Sequence, residues 1–191
     1  MCGRYSLYPN PDDPRVSAIL SMMDRRYPGA YKTGEIFPGD RVPAIVEDRG
    51  RIVPVPAVFG FPGFEPGRRL INARAETAAQ KPMFAQALQR SRTVLPAAGF
   101  FEWSREGEKQ KYLCTLPDEA PLYLCGLLKR VQDETCFVIL TRPANDSMRR
   151  IHHRMPVIIP AAEVRAYLTD AHAAARLLAV SAPELLLRGI F

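Results

Sequence analysis

Four short stretches put reactive or polar residues inside otherwise structural sequence: MCGRY at the start, NARAET at 72–77, GFFEW at 99–103 and IHHRMP at 151–156. MCGRY is the least ordinary. Chain ends are commonly frayed and poorly packed, so a structural cysteine at position 2 would be oddly placed. An initiator Met followed by a small residue is usually trimmed, and Cys2 would then carry a free amine and a thiol on one residue. Such a residue is a nucleophile with two attacking atoms.

The other stretches each admit two readings. Asn72 and Arg74 alternate with period two after Leu70 and Ile71. They fit a strand-to-helix turn in which Asn72 satisfies backbone groups and Arg74 is exposed. They also fit a site in which Asn72 holds a reactive group and Arg74 grips a phosphate. Glu102 sits between Phe101 and Trp103 and, by strand alternation, faces away from both. It points either to water or into the core, where desolvation would make it a general acid or base. His152 and His153 precede Arg154 in a loop, either as surface residues or as proton shuttles near neutral pH. Cys2, Glu102 and His152 together would supply a nucleophile, an acid and a base.

The elements that must position these residues are mostly strands. Eighteen prolines and twelve glycines favour short strands and loops over long helices. Strand-like runs are VPAIVED, RIVPVPAVFGF, RRLINA, TVLPAAGFFEW, KYLCTL, LYLCGLLKRV, TCFVILT and MPVIIP, rich in β-branched and aromatic residues. Helical spacing predicts helices over Pro14–Tyr27, about Thr77–Gln89, Ala161–Leu168 and near Ala171–Val180. With 191 residues, 47% of them hydrophobic, the sequence predicts a single α+β domain over 1–191, largely antiparallel and decorated by helices.

Composition narrows the function further. Cys114, Cys125 and Cys136 lie in apolar runs and read as core thiols. Neither zinc-ligand spacing nor a disulfide framework is present, so no metal or cofactor is expected. No run approaches the length of a membrane span, and the start lacks a signal-peptide pattern, which predicts a cytoplasmic protein with no membrane partner. The net charge of +6 favours a polyanionic partner. Arg25-Arg26, Arg68-Arg69, Arg90 with Arg92, and Arg149-Arg150 with Arg154 would form a phosphate track if they converged.

MCGRY, NARAET, LPAAGFFEW, ILTRPAN and IHHRMP, in this order and rough spacing, resemble the SOS response-associated peptidase (SRAP) family across nearly the whole chain. The resemblance implies a curved or barrel-like β core and a monomer that shields abasic sites in single-stranded DNA, nucleoid-associated when acting. It implies covalent attachment to the ring-opened sugar through the residue that follows Met1. Carried onto matching positions, the catalytic set is Cys2, Asn72, Glu102 and His152, and the DNA contacts are Arg4, Arg74 and Arg154. The peptidase label would correspond to removal of Met1, and strand cleavage by β-elimination is an expected side activity. Physical chemistry explains the position of the cysteine. An α-amine with a pKa of about 7.7–8.0 is partly neutral near pH 7 and attacks an aldehyde. The thiol of the same residue then closes a thiazolidine ring on the imine, with the advantage of an intramolecular step.

The chain departs from the family where a Trp-rich DNA-binding stretch is expected. Here it reads Phe59-Gly60-Phe61-Pro62-Gly63-Phe64, one residue shorter, so Phe59 and Phe64 become the expected base-stacking residues. The loop Phe37-Pro38-Gly39-Asp40 also places an acid where DNA would pass. Two rival functions fit parts of the sequence: a glutamine amidotransferase with an N-terminal Cys, and a noncovalent single-stranded nucleic-acid binder. The former leaves Glu102 and IHHRMP without a role.

Overall fold

Apolar residues recur on both faces of the longest strands, and that pattern decides the architecture. In the computed structural model, which describes residues 2–7, 13–63, 65–104 and 109–190, Phe137 and Ile139 enter one core. Cys136, Val138 and Leu140, on the opposite face of the same strand, enter a second. Successive side chains of a strand point to opposite faces, so such a strand must be covered on both.

The elements run in chain order. They begin with β1 (Arg4–Leu7), α1 (Pro14–Arg26), β2 (Gly34–Ile36), β3 (Arg41–Asp48), β4 (Arg51–Phe59), β5 (Phe61–Pro62), β6 (Arg69–Leu70) and β7 (Asn72–Arg74). Then come α2 (Ala75–Ala78), α3 (Pro82–Arg90), β8 (Arg92–Ala97), β9 (Gly99–Trp103), β10 (Lys111–Thr115), β11 (Leu122–Val131) and β12 (Glu134–Pro143). The last are α4 (Asp146–Arg149), β13 (Arg154–Pro156), β14 (Ile158–Ile159), a 3-10 turn (Ala161–Glu163), α5 (Val164–Thr169), α6 (Ala171–Ala179) and β15 (Leu186–Ile190).

Strands β12, β4, β3, β8 and β11 follow one another in pairing, and β11 also pairs with β12, so the ring closes as a small barrel. Closure removes the free edges that an open sheet leaves exposed. Most pairings are antiparallel, but β12 runs parallel to both β4 and β7. A second, open sheet has the order β15-β10-β9-β1-β2. Its inner face shares a core with the barrel interior: Tyr5, Phe100 and Cys114 pack in one cluster with Phe59, Leu95, Phe137 and Ile139. The helices cover the outside of the barrel, where Ile19, Phe84, Ala87, Tyr167 and Leu177 meet Val94, Cys125 and Val138.

Local chemistry sets the helix limits. The Asp13 carboxylate accepts from the Arg15 and Val16 N–H groups at 2.9 and 3.0 Å, capping α1 ahead of Pro14. The helix expected over Thr77–Gln89 is instead two, α2 and α3. Pro82 has no N–H to give and excludes helical backbone before it, and Lys81 is accordingly extended (φ −97, ψ 118). Among the described residues no helix is long and apolar enough to cross a membrane.

Candidate functional site

Strand register builds the site. In the open sheet Tyr5 lies opposite Phe100, Phe100 opposite Cys114, and Glu102 opposite Tyr112. Residues directly opposite share a face, so Tyr5, Phe100, Glu102 and Cys114 all face inward. Glu102 is only 3% exposed, which excludes the water-facing reading. Its neighbours Phe101 and Trp103 face outward, against Lys111.

Cys2 precedes β1 and is fully buried. Its carbonyl accepts from Asn72 Nδ2 at 3.1 Å. Asn72 is held by β7, which pairs with β12 so that Asn72 lies beside Ile139. Asn72 Oδ1 is buried with no donor among the described residues, as is the Tyr5 hydroxyl. Burial, and then the Glu102 carboxylate, push the Cys2 thiol well above its ordinary range. Burial and Glu102 do the same to Cys114. Tyr5 is raised by burial and then by Cys2. Cys2, Tyr5 and Cys114 share one buried cluster, Glu102 faces it by register, and the Cys2 thiol stays protonated at neutral pH.

His152 is 8% exposed and joins this group through α4. Its N–H donates to the Met148 carbonyl at 3.0 Å, and the Met148 sulfur lies 3.9 Å from Cys114 Sγ. Its Nδ1 accepts from the Arg154 N–H at 3.0 Å, which leaves the proton of the neutral ring on Nε2. The Arg154 carbonyl stands 3.2 Å from the same Nδ1 and suits the protonated ring, in which that nitrogen donates. One backbone unit therefore offers a partner to either protonation state. His153 stacks on His152 at 4.5 Å and is exposed.

The expected DNA contacts divide. Arg4 and Arg74 are accessible, Arg4 on the outer face of β1 and Arg74 at the entrance to α2. Arg154 is not: it is 6% exposed, and its guanidinium holds both oxygens of Glu76. It also donates to the Thr141 carbonyl at 2.8 Å and to Thr141 Oγ1 at 3.1 Å. A phosphate could reach this arginine only by displacing Glu76, so its place here is to tie α2 and β12 to β13. The expectation for Phe59 is corrected. Its ring is fully buried and stacks on Phe137 with centroids 5.0 Å apart, which leaves no face for a base. Gly60 makes this turn at φ +96, where a Cβ would strike Arg69 at 2.8 Å. Phe64 lies outside the described residues.

Two further expectations resolve structurally. The Asp40 carboxylate accepts from the Phe37 N–H at 2.8 Å and from Lys32 at 2.6 Å, so it closes its own turn. Arg92, expected near a phosphate track, is buried and donates to the carbonyls of Leu88, Gln89, Tyr167 and Leu168. It satisfies the exposed carbonyl ends of α3 and α5. Cys114, Tyr5, Glu76 and Thr141 were not singled out as site residues by sequence reasoning. Only Glu76 carried a usable signal, as the acid inside NARAET.

The fold and site together define a closed barrel with an attached sheet. At their junction a near-terminal cysteine is buried with an amide and a carboxylate, and a histidine joins them through α4. The SOS response associated peptidase (SRAP) family matches residues 1–186, and the chain belongs to it. It is 33% identical to the abasic site processing protein YoaM of Bacillus subtilis, over 83% of this chain and 75% of that protein. It is 28% identical to the abasic site processing protein YedK of Escherichia coli, over 88% and 79%. Two solved structures share the fold at 22% identity. A Bordetella bronchiseptica protein has a TM-score of 0.75 with both chains fully covered, and a Bacteroides thetaiotaomicron protein has 0.76, covering 100% and 92%.

Proposed function

We propose that this protein captures abasic sites in single-stranded DNA through a covalent bond to Cys2, exposed by removal of Met1. The names of its relatives support abasic-site processing. The observation that carries the covalent reading is Cys2 itself, fully buried and held through its carbonyl by Asn72 at 3.1 Å. Cys2 is held beside the inward-facing strand of Glu102, in one cluster with Tyr5, Phe100 and Cys114.

The reaction balances without a further reagent. The neutral Cys2 amine adds to the sugar aldehyde, and loss of water gives an imine. The thiol then adds across the C=N bond, its sulfur to carbon and its proton to nitrogen, closing a thiazolidine. The raised thiol pKa favours this order, because the thiol is not an ionised competitor at the first step. Asn72 Oδ1 is a ready acceptor for the amine. Glu102 moves protons between the amine and the departing oxygen, and His152 serves the sugar oxygen during ring opening. The same imine permits β-elimination, and hydrolysis of the Met1–Cys2 bond is the peptidase step that makes the reagent.

The test is a denaturing gel with an abasic-site oligonucleotide. The parent protein should give a shifted band that survives denaturation, and Cys2→Ser should lose the stable band. Equally stable crosslinking by Cys2→Ser sinks the thiazolidine, and a parent with no surviving band sinks covalent capture.

A further inference from the structure

The stretch ILTRPAN ends in Asn145, a residue with no part in the capture chemistry, and Asn145 opens the turn that leads to His152. That turn, α4, is four residues long. Fixing a single helical turn costs more backbone freedom than its own hydrogen bonds offset, so α4 needs outside support. The Asn145 amide supplies it at both of its ends. Oδ1 accepts from the Met148 N–H at 3.2 Å and from the Ser147 hydroxyl at 2.8 Å, which caps the turn. Nδ2 donates to the Pro183 carbonyl at 2.8 Å. Two residues further on, the Leu185 N–H donates to Ser147 Oγ at 3.1 Å, so the 183–185 segment is gripped twice.

That segment is itself anchored. Arg142 donates to the Val180 carbonyl just before it, and Leu185 is buried in the core that holds Cys2 and Cys114. Strand β15 follows at once and pairs with β10, with Leu187 beside Cys114. On its other side α4 faces the site. The Met148 carbonyl accepts from the Ile151 and His152 N–H groups at 2.9 and 3.0 Å, and the buried Met148 sulfur lies 3.9 Å from Cys114 Sγ. The loop is closed at its base, where the Ala144 N–H donates to the His153 carbonyl at 3.0 Å. The route from Asn145 to the imidazole is therefore short: Asn145 fixes Met148, and Met148 fixes the backbone of His152. A carboxylate in place of the amide would keep the acceptor and lose the donor.

We infer that Asn145 is a positioning residue for His152, clasping α4 to the Pro183–Leu185 segment and so holding the imidazole at the Cys2 cluster. This rests on the proposed role of His152 in capture, and it makes a segment far from Cys2 in sequence part of the support of the same site.

The test is a double-mutant cycle on single-turnover adduct formation with an abasic-site oligonucleotide. Asn145→Ala should slow the adduct by about 10- to 100-fold, the effect of a small misplacement of a reacting group. In a His152→Ala background the same substitution should add less than about 2-fold, because the group it positions is gone. Asn145→Asp keeps the cap but not the donor to Pro183, so it should recover only part of the loss. Equal slowing in both backgrounds would mean that Asn145 supports the fold alone, and it overturns the inference, as does a parent-like rate in Asn145→Ala. Full recovery in Asn145→Asp overturns the clasp to Pro183. A second measurement is independent of capture: long-range ¹H–¹⁵N NMR spectra of the neutral imidazole nitrogens. His152 of the parent should show one tautomer, protonated at Nε2, and Asn145→Ala should show a mixture of both. An unchanged tautomer overturns the positioning role even where the parent crosslinks. A parent that shows the change but never crosslinks leaves the positioning of His152 standing and removes the capture reaction.

Discussion

The two faces of β9 make opposite use of the same backbone. Phe100 and Glu102 enter a space where Cys2, Cys114 and Tyr5 lie fully buried. Phe101 and Trp103, one residue away on either side of Glu102, meet Lys111 and Arg4 at a partly solvated surface. Inside, burial keeps thiols and phenol neutral and makes one carboxylate influential. Outside, Glu35 is held ionised between two cations. A period-two alternation thus separates a buried thiol–carboxylate cluster from a partly solvated charge cluster within five residues, and each face can be altered without touching the other.

The largest effect should come from the inner face. Glu102→Gln keeps the size of the side chain but removes its charge and its proton transfer, replacing one acceptor oxygen by an NH2 donor. We expect single-turnover adduct formation to slow by about 10²- to 10⁴-fold, measured on denaturing gels at saturating oligonucleotide. A rate within a few-fold of the parent would mean that Glu102 serves packing alone, and the functional contrast between the faces would collapse.

Much of this separation was legible in the residues, and what was not has definite causes. Alternation in GFFEW set Glu102 apart from Phe101 and Trp103, but alternation cannot say which face is inside. The register of β9 with β1 and β10 decides that. Strands β1, β2 and β15 escaped the propensity reading because they are short or mixed in composition. RYSL and GEI are ordered by pairing with neighbours rather than by their own preference. Phe59 is hidden for a different reason: it is the last residue of β4, its ring still inside the shared core, and the chain leaves the barrel only after it, for the β5–β6 pair. The roles of Arg92 and Arg154 were hidden for a similar reason, since an arginine in a list of basic residues carries no sign of the carbonyls or carboxylate it will meet.

A smaller effect tests the burial of the inner thiols. Cys2 and Cys114 have folded-state pKa values above their unfolded ones, so above about pH 8.5 the unfolded chain releases protons that the folded chain keeps. Their contribution to stability is full below that pH and is lost as pH rises. Urea unfolding with reductant present should therefore show declining stability above about pH 8.5. In Cys114→Ala the decline should be shallower by up to about 1.4 kcal/mol per pH unit. Identical slopes would mean that water reaches the inner thiols.

The smallest effect belongs to the outer face and has the opposite pH sense. Partial burial of Glu35 works against its ionisation, yet Lys111 and then Arg4 hold its carboxyl below the ordinary value. For a depressed carboxyl the stabilisation is complete above the unfolded pKa, about 4.3, and disappears as pH falls through the folded value. The pair is partly solvated, with Glu35 27% and Lys111 25% exposed, so we expect at most about 1 kcal/mol. The measurement is the difference in unfolding free energy between parent and Glu35→Gln from pH 6 down to pH 3. The difference should be constant near neutrality, shrink only below about pH 4.5, and diminish in high salt, because the outer charges are screened and the inner ones are not. Should the difference instead survive high salt, the outer cluster would be as sheltered from solvent as the inner one, and the contrast between the two faces of β9 would not be one of exposure.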